Sequence, residues 1–256
     1  DTPLEGDIVA IIPGFDCHDL TRRCLGSLDS DFWKGPTRVV YVDNGSADGV
    51  ADGIVEFCRA EKLAFELEVI RNRTNRGFTA AINQGLRRVG EGQHALIVNN
   101  DARLAPGCVE RMARHLRHPK AAAVNPIADD NGECSIQLKH NRELAGFTQI
   151  PRLDDTSGTL EGIPRVAERD RLPFFCTLIR NDALERVGLL STDKRFASGL
   201  GADDEWCRRA RQLGYRLLVA GDAFASHDHS ATFKRKGIDR KAKQREAIKA
   251  LKTCCE

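Results

Sequence analysis

Apolar residues along the chain fall into short unbroken runs that alternate with stretches of helical spacing. DIVAII (7–12) is one such run and stops at Pro13. DLTRRCLGSL (19–28) follows, with Leu20, Cys24, Leu25 and Leu28 on one helical stripe. A short continuous apolar run ended by a breaker suits a strand buried on both faces, and the second spacing suits an amphipathic helix. The scheme recurs in RVVYVD (38–43) with a helix from about Gly49 to Lys62, in LEVI (67–70) with one from about Thr79 to Val89, and in ALIV (95–98) with one from about Pro106 to Arg117. Four strand–helix units in a row predict an α/β fold with right-handed crossovers and a largely parallel sheet. Beyond them, roughly Pro126 to Asp170 is rich in Asp, Gly, Pro and Thr without periodicity and is expected to form loops. YRLLVA (215–220) reads as a late strand.

Composition changes this picture little, and charge changes it in one place. With 256 residues, 41% of them hydrophobic, the chain can bury a sizeable core. The formal net charge is only +2, but the 23 residues from Lys234 hold nine Lys/Arg against three Asp/Glu, which leaves the remainder at about −4. The basic character belongs to the tail. Nine cysteines, scattered through predicted helices and strands, suit reduced cytosolic thiols rather than a disulfide framework. No signal-peptide pattern opens the chain and no apolar run approaches the ~20 residues that span a bilayer. The expectation is a cytoplasmic protein, soluble or peripheral at the inner face of a membrane, and without nucleic-acid partners.

Ligands of open parallel sheets bind at the carboxyl ends of the strands. Here the segments that follow the strands are PGFD (13–16), DNGSADG (43–49), RNRTNRGF (71–78) and NNDA (99–102). Any one alone reads as a turn or a helix cap, since Asn-Gly accepts positive φ and Asp or Ser caps helices. Four polar clusters on one sheet edge point instead to a ligand site.

These segments resemble the inverting glycosyltransferases of family 2, from about Asp7 to Ser230. IVAIIPGFD is similar to that family's opening strand and Pro-x-Tyr-Asn turn, with Phe15 and Asp16 replacing the aromatic and the amide. YVDNGSADG closely resembles its Asp-Asn-Gly-Ser-x-Asp-Gly segment, whose first Asp reads the nucleotide base. NRGFTAAINQGL is similar to the segment that runs under the nucleotide. The resemblance implies a GT-A fold: a Rossmann-like, mostly parallel central sheet flanked by helices, with nucleotide-binding and acceptor-binding halves fused in one domain. On that basis residues 1–233 form the domain, divided near residue 103, and 234–256 form a basic helix or tail. Pro13, Phe15, Asp43, Asn44, Gly45, Asn75, Gly77, Phe78, Asn83, Asn99 and Asn100 are then expected at the nucleotide.

NND occupies the place of the family's Asp-x-Asp motif, in which a divalent metal, Mn²⁺ or Mg²⁺, is held against the diphosphate. Asp101 is the implied ligand, and Asn99 stands where the family has its first Asp. In the second half, RLPFFCTLIRNDALERVGLL (171–190) resembles the acceptor-side strand and the helix behind it. RFASGLGADDEWCRRARQLGYRLL (195–218) is similar to the segment written Glu-Asp-x-Asp-x-Cys-x-Arg-Ala. Aligning on Cys207, Arg209 and Ala210 makes Asp203 the catalytic base, with Asp204 in reserve and Ala202 where the family has Glu. Inversion needs such a carboxylate to take the acceptor's proton. In ASHDHSATF (225–233) the resemblance implies a histidine at the metal or diphosphate, His227 before His229.

The implied activity is transfer of one hexosyl or rhamnosyl unit from a nucleoside-diphosphate sugar, UDP or dTDP, to a glycan or lipid-linked acceptor in bacterial surface glycan assembly. The Gln-x-x-Arg-Trp signature of processive synthases is absent. A dinucleotide oxidoreductase lacks its Gly-x-Gly-x-x-Gly after strand one, and a sugar-phosphate nucleotidyltransferase lacks its Gly-rich basic loop. A non-catalytic GT-A relative stays open because of Asn99 and Ala202. The tail, with Ile238, Ala242, Ile248 and Leu251 along a basic helix from 239 to 252, suggests peripheral contact with an anionic membrane.

Overall fold

A computed structural model describes residues 4–28, 37–128, 165–193, 196 and 201–227. Among them the elements run β1 (Ile8–Gly14), α1 (His18–Leu28), β2 (Arg38–Asp43), α2 (Val50–Ala60), β3 (Glu66–Arg71), α3 (Phe78–Leu86), β4 (His94–Val98), β5 (Ala102–Leu104), α4 (Cys108–Leu116), β6 (Ala121–Ile127), β7 (Val166–Arg169), β8 (Cys176–Ile179), α5 (Asn181–Val187), α6 (Ala202–Gln212) and β9 (Arg216–His227). The strands order as β3-β2-β1-β4-β8-β6-β9-β5, with β7 beside β9. β3, β2, β1 and β4 are mutually parallel, as the four strand–helix units require. From β1 the chain winds outward to β2 and β3, then crosses back to β4 on the other side. The crevice between the ends of β1 and β4 is therefore a topological switch point.

Every residue of β1 and β4 is buried, which is what an unbroken apolar run means in a sheet covered on both faces. Successive side chains alternate between the two cores. Ile8, Ala10 and Ile12 pack with α1, α2 and α4 through Cys24, Leu25, Ile54, Val109 and Met112. Ile11 faces the other way, toward Ile82 of α3 and Trp206 of α6. Gly85 of α3 lies so close to this layer that a Cβ there would come within 2.3 Å of the Ile11 side chain, so only glycine allows the helix to approach the sheet.

Three expectations are corrected. The stretch from Pro126 to Asp170 is not all loop: β6 extends to Ile127, and Val166–Arg169 forms β7, antiparallel to β9. β7 alternates outward and half-buried residues on an edge, a pattern too short and too polar to stand out. The segment between ALIV and the next helix is not all loop: β5 intervenes and pairs with the far end of β9, and the helix then runs Cys108–Leu116, within two residues of the expected bounds. β9 itself runs to His227, so that histidine ends a strand rather than following one. His229 and the tail lie outside the described residues.

Candidate active site

β2 ends on Asp43, which is buried, and its Oδ1 accepts the Ser46 N–H at 3.1 Å. The same turn is tied to the end of β1: Asp16 Oδ1 accepts the Ala47 N–H at 2.7 Å, and the Asp16 N–H reaches Ser46 Oγ at 3.0 Å. Asp16 does this with φ of 50°, a strained conformation that Asp tolerates better than most residues. Gly45 has φ of +82°, and a Cβ there would sit 2.5 Å from the Thr74 backbone, so the β2 turn and the 72–77 loop touch backbone to backbone.

Asn44 organises that loop. Its Nδ2 donates to Asn75 Oδ1 at 3.3 Å and to the Gly77 carbonyl at 3.2 Å, while its Oδ1 accepts from Asn72 Nδ2 and the Arg76 N–H, both at 3.0 Å. Asn72 and Gln84 then exchange amide hydrogen bonds at 2.8 and 2.9 Å. Asn44 and Asn75 thus tie the β2 turn to the 72–77 loop with their side chains. Phe15 and Phe78 are half-buried, and Gly77 caps α3 with a positive φ of 87°, a conformation that favours glycine. Pro13 is buried within β1 opposite Val42.

Asn83 is engaged by the protein's own backbone. It is 1% exposed, its Nδ2 donates to the Leu190 carbonyl at 2.9 Å and its Oδ1 accepts the Leu190 N–H at 3.0 Å. Its amide pairs the backbone of the segment after α5. Truncating it would strand two buried backbone groups at about 1–3 kcal/mol, so lost activity there would report folding rather than nucleotide contact.

At the end of β4 the chain turns through Asn99, Asn100 and Asp101. The Asn99 N–H donates to the Phe175 carbonyl at 2.7 Å, and the Ala102 N–H closes the turn on the Asn99 carbonyl at 2.9 Å. Asn100 is buried and braces the turn on α1, donating to Thr21 Oγ1 at 3.0 Å. β5 then pairs with β9 in a register that sets Ala102 opposite His227. That register is why His227 meets Asp101: Nε2 lies 3.0 Å from Asp101 Oδ1 and 3.3 Å from Asn99 Nδ2. Both side chains are about 10% exposed. Asn99 Oδ1 is buried without a hydrogen-bond partner among the described residues. A carboxylate, an imidazole and an amide carbonyl oxygen in search of a partner are donors suited to Mn²⁺ or Mg²⁺, so these residues fit a divalent cation. Among the described residues no cluster of three or more His, Cys, Asp and Glu forms a closed cation cage.

The third group is at the start of α6, whose first turn carries Asp203, Asp204 and Glu205. Burial of the Asp203 carboxyl, together with the charge of Asp204 beside it, pushes its pKa up to about 7, against the N–H groups of Asp204 and Phe174 that favour the anion. Asp204 faces outward to Arg171 at 3.6 Å. Glu205 is committed elsewhere: Arg209 Nε binds both its oxygens at 2.8 and 3.1 Å, and the guanidinium continues to the Val187 and Leu189 carbonyls. Trp206 Nε1 donates to the Gly188 carbonyl at 2.8 Å. Asp203 is half-buried, free of the arginine that engages Glu205, and carries the raised pKa.

One connection escaped the sequence reading. Phe174 and Phe175 lie between the acid and the histidine: the Phe174 N–H points to Asp203 Oδ2 at 3.4 Å, and the Phe175 ring stacks on His227 with centroids 5.1 Å apart. Inside the apolar run RLPFFCTLIR nothing distinguishes these two from ordinary core residues.

A family model for glycosyl transferase family 2 matches residues 9–187. An N-acetylglucosaminyltransferase of Azorhizobium caulinodans is 28% identical over 126 residues, 48% of this chain and 30% of that protein. Among solved structures, the mannosyltransferase PcManGT of Pyrobaculum calidifontis, in complex with GDP-Man and Mn²⁺, superposes with a TM-score of 0.64 at 18% identity, over 91% of this chain and 62% of its own. TarS 1–349 of S. aureus in complex with UDP-GlcNAc gives 0.60 at 17%, over 89% and 60%. GalNAc-T7 with UDP, GalNAc and Mn²⁺ gives 0.66 at 13%, over 87% and 43%. The chain spans less than two thirds of the length of each of these relatives. At such identities the superpositions speak for the architecture, which is the GT-A fold. With the family model matched over well more than half of its length, the chain belongs to glycosyl transferase family 2.

Proposed function

We propose that this chain is an inverting glycosyltransferase, moving one hexosyl or rhamnosyl unit from a nucleoside-diphosphate sugar to a hydroxyl acceptor. The observation that carries the reading is the meeting of Asp101 Oδ1 and His227 Nε2, 3.0 Å apart, at the end of β4. Asp101, His227 and the carbonyl oxygen of Asn99 would hold a divalent cation. When bound, the cation offsets charge on the diphosphate leaving group. The loops led by Asp43, Asn44 and Gly45 shape the cleft for base and ribose, and residues 1–103 make up the donor half, 104–233 the acceptor half.

Asp203 is the base. As the acceptor oxygen attacks the anomeric carbon from the face opposite the diphosphate, a new C–O bond forms, the bond to the phosphate oxygen breaks, and Asp203 takes the hydroxyl proton. A carboxylate with a pKa of about 7 is better matched to that proton transfer at neutral pH than one near 4. This placement argues against a non-catalytic relative, in which nothing would sustain the cost of a buried, repelled carboxyl.

The GDP-Man and UDP-GlcNAc in the relatives' structures support a nucleotide-sugar donor. Our assignment of the base is UDP or dTDP, and of the acceptor a glycan or lipid-linked intermediate of bacterial surface assembly, reached at the cytoplasmic face. No helix among the described residues is long and apolar enough to cross a membrane, and contact with the anionic surface would fall to residues 234–256. Calorimetric titration with UDP, dTDP and GDP, with and without Mn²⁺, tests the reading. Expected is binding of one uridine or thymidine diphosphate that tightens at least ~10-fold with Mn²⁺. Absence of binding for all three, with and without Mn²⁺, would overturn it.

A further inference from the structure

The cation donors and the base come from opposite halves of the chain: Asn99 and Asp101 end β4, His227 ends β9, and Asp203 opens α6. The short segment before β8 joins them. Its start is held on α6, where the Leu172 N–H meets Cys207 Sγ at 3.3 Å and Phe174 lies edge-on to Trp206 with centroids 5.4 Å apart. Its middle is fixed by Asn125, whose Nδ2 donates to the Pro173 carbonyl at 2.7 Å. Its end reaches the other pole, since the Phe175 carbonyl accepts the Asn99 N–H at 2.7 Å and β8 enters register against β4 with Cys176 opposite Val98.

Phe175 is 2% exposed, and its ring lies nearly parallel to the His227 imidazole, at an interplanar angle of 26°. Offset stacking of two flat rings restricts rotation about the histidine side-chain torsions. The strand pairing of β9 with β5 fixes the His227 backbone but leaves those torsions free. Of the contacts described, those to Asp101 Oδ1 and Asn99 Nδ2 fix where Nε2 points and the Phe175 ring fixes the plane in which it does so.

We infer that Phe175 is a positioning residue: its ring holds the His227 imidazole with Nε2 aimed at Asp101, and so presets the cation site. The inference rests on the glycosyltransferase reading for its purpose but not for its geometry. Because the contact to Asn99 runs through the Phe175 backbone, a side-chain substitution removes the ring and keeps the anchor.

The experiment uses Phe175→Met, which keeps unbranched apolar bulk, with Phe175→Leu as the substitute should the methionine variant not fold, and Phe175→Tyr as the conservative control. In the metal-free protein at one fixed pH, imidazole ¹⁵N shifts report the His227 tautomer. Wild type and Phe175→Tyr should show one tautomer, set by the contacts of Nε2 to Asp101 and Asn99, and Phe175→Met a mixture. In a second arm, free Mn²⁺ is measured by electron paramagnetic resonance in the presence of UDP. Phe175→Met should weaken Mn²⁺ uptake about 10-fold, the usual worth of a residue that orients a ligand. Combined with His227→Ala it should weaken uptake no further than His227→Ala alone. An unchanged tautomer in Phe175→Met overturns the inference whatever Mn²⁺ does, and so do losses that add in the double variant. If wild type takes up no Mn²⁺ with UDP, the cation reading of the site fails and the tautomer arm alone decides for or against Phe175.

Discussion

A carboxyl that ionises near neutrality is the feature on which the residue scale turns. Asp203→Asn keeps shape and removes the proton acceptor, so transfer should fall ~10²–10⁴-fold while donor affinity persists. The same change should raise the thermal midpoint at pH 8. The folded pKa of Asp203, about 7, stands above the value of about 4 in an unfolded chain, so the fold binds this proton more tightly. Stability gained from it is complete below about pH 4 and is lost as pH climbs through about 7. An amide is spared that loss. Activity falling together with the midpoint would make Asp203 a structural residue. Asp204→Asn removes the neighbouring charge, so the acidic limb of kcat/KM should move to lower pH. If Asp204→Asn is instead the more damaging of the two, the base is Asp204. Asp101→Ala, in a turn at the sheet edge, should abolish the Mn²⁺ dependence of nucleotide binding at little cost to the midpoint, and a variant with unchanged Mn²⁺ dependence would remove Asp101 from the cation site.

At the scale of elements, what could be read in the sequence depended on whether a signal was local. β1, β2 and β4 are fully or largely buried apolar runs, β3 is a half-buried strand recognisable by its place in the repeating scheme, and DNGSADG, NRGF and NND are contiguous, so the parallel half of the sheet and its loops were legible. β5 and β7 were not, because three- and four-residue strands are specified by their partner β9 rather than by their own pattern. The anchoring of Asn83 was not legible for a related reason: a polar residue inside a helical motif shows nothing locally of the segment more than a hundred residues away that engages its amide. His94, at the start of β4, is another such long-range device. Its Nε2 lies 2.7 Å from the Glu5 carbonyl and its Nδ1 accepts the Asn181 N–H at 3.1 Å, so a neutral ring ties the chain's first described residues to α5. Burial, with help from the nearby Arg180 charge, lowers its pKa against the Glu5 hydrogen bond and Asp182. The unfolded chain therefore takes up a proton before the fold does, and stability present above about pH 6.5 is lost as pH falls below it. The drop in thermal midpoint between pH 7.5 and 5.5 should be smaller in His94→Gln than in wild type; equal drops would show that other groups carry the acid sensitivity.

For the whole molecule the distribution of charge matters more than its sum. Residues before Lys234 carry about −4 and the 23 that follow about +6, so a net charge of +2 conceals a body that anionic lipid repels and a segment that it attracts. A transferase acting on lipid-linked acceptors gains from being held at their surface, since the second encounter then occurs at raised local concentration. Each Lys or Arg near an anionic leaflet contributes up to ~1 kcal/mol, and nine of them, offset by three acids and by incomplete contact, would give reversible attachment rather than permanent anchoring. The attraction must fade with salt, because screening confines it to ~8 Å at physiological ionic strength. Sedimentation with phosphatidylglycerol-containing vesicles separates the possibilities. The full chain should pellet at low salt and be released as salt rises, a chain ending at Phe233 should stay in solution, and neither should bind neutral phosphatidylcholine vesicles. If the two chains pellet equally, the body rather than the tail makes the contact; if neither pellets, the tail has no part in reaching the acceptor and the enzyme meets it from solution.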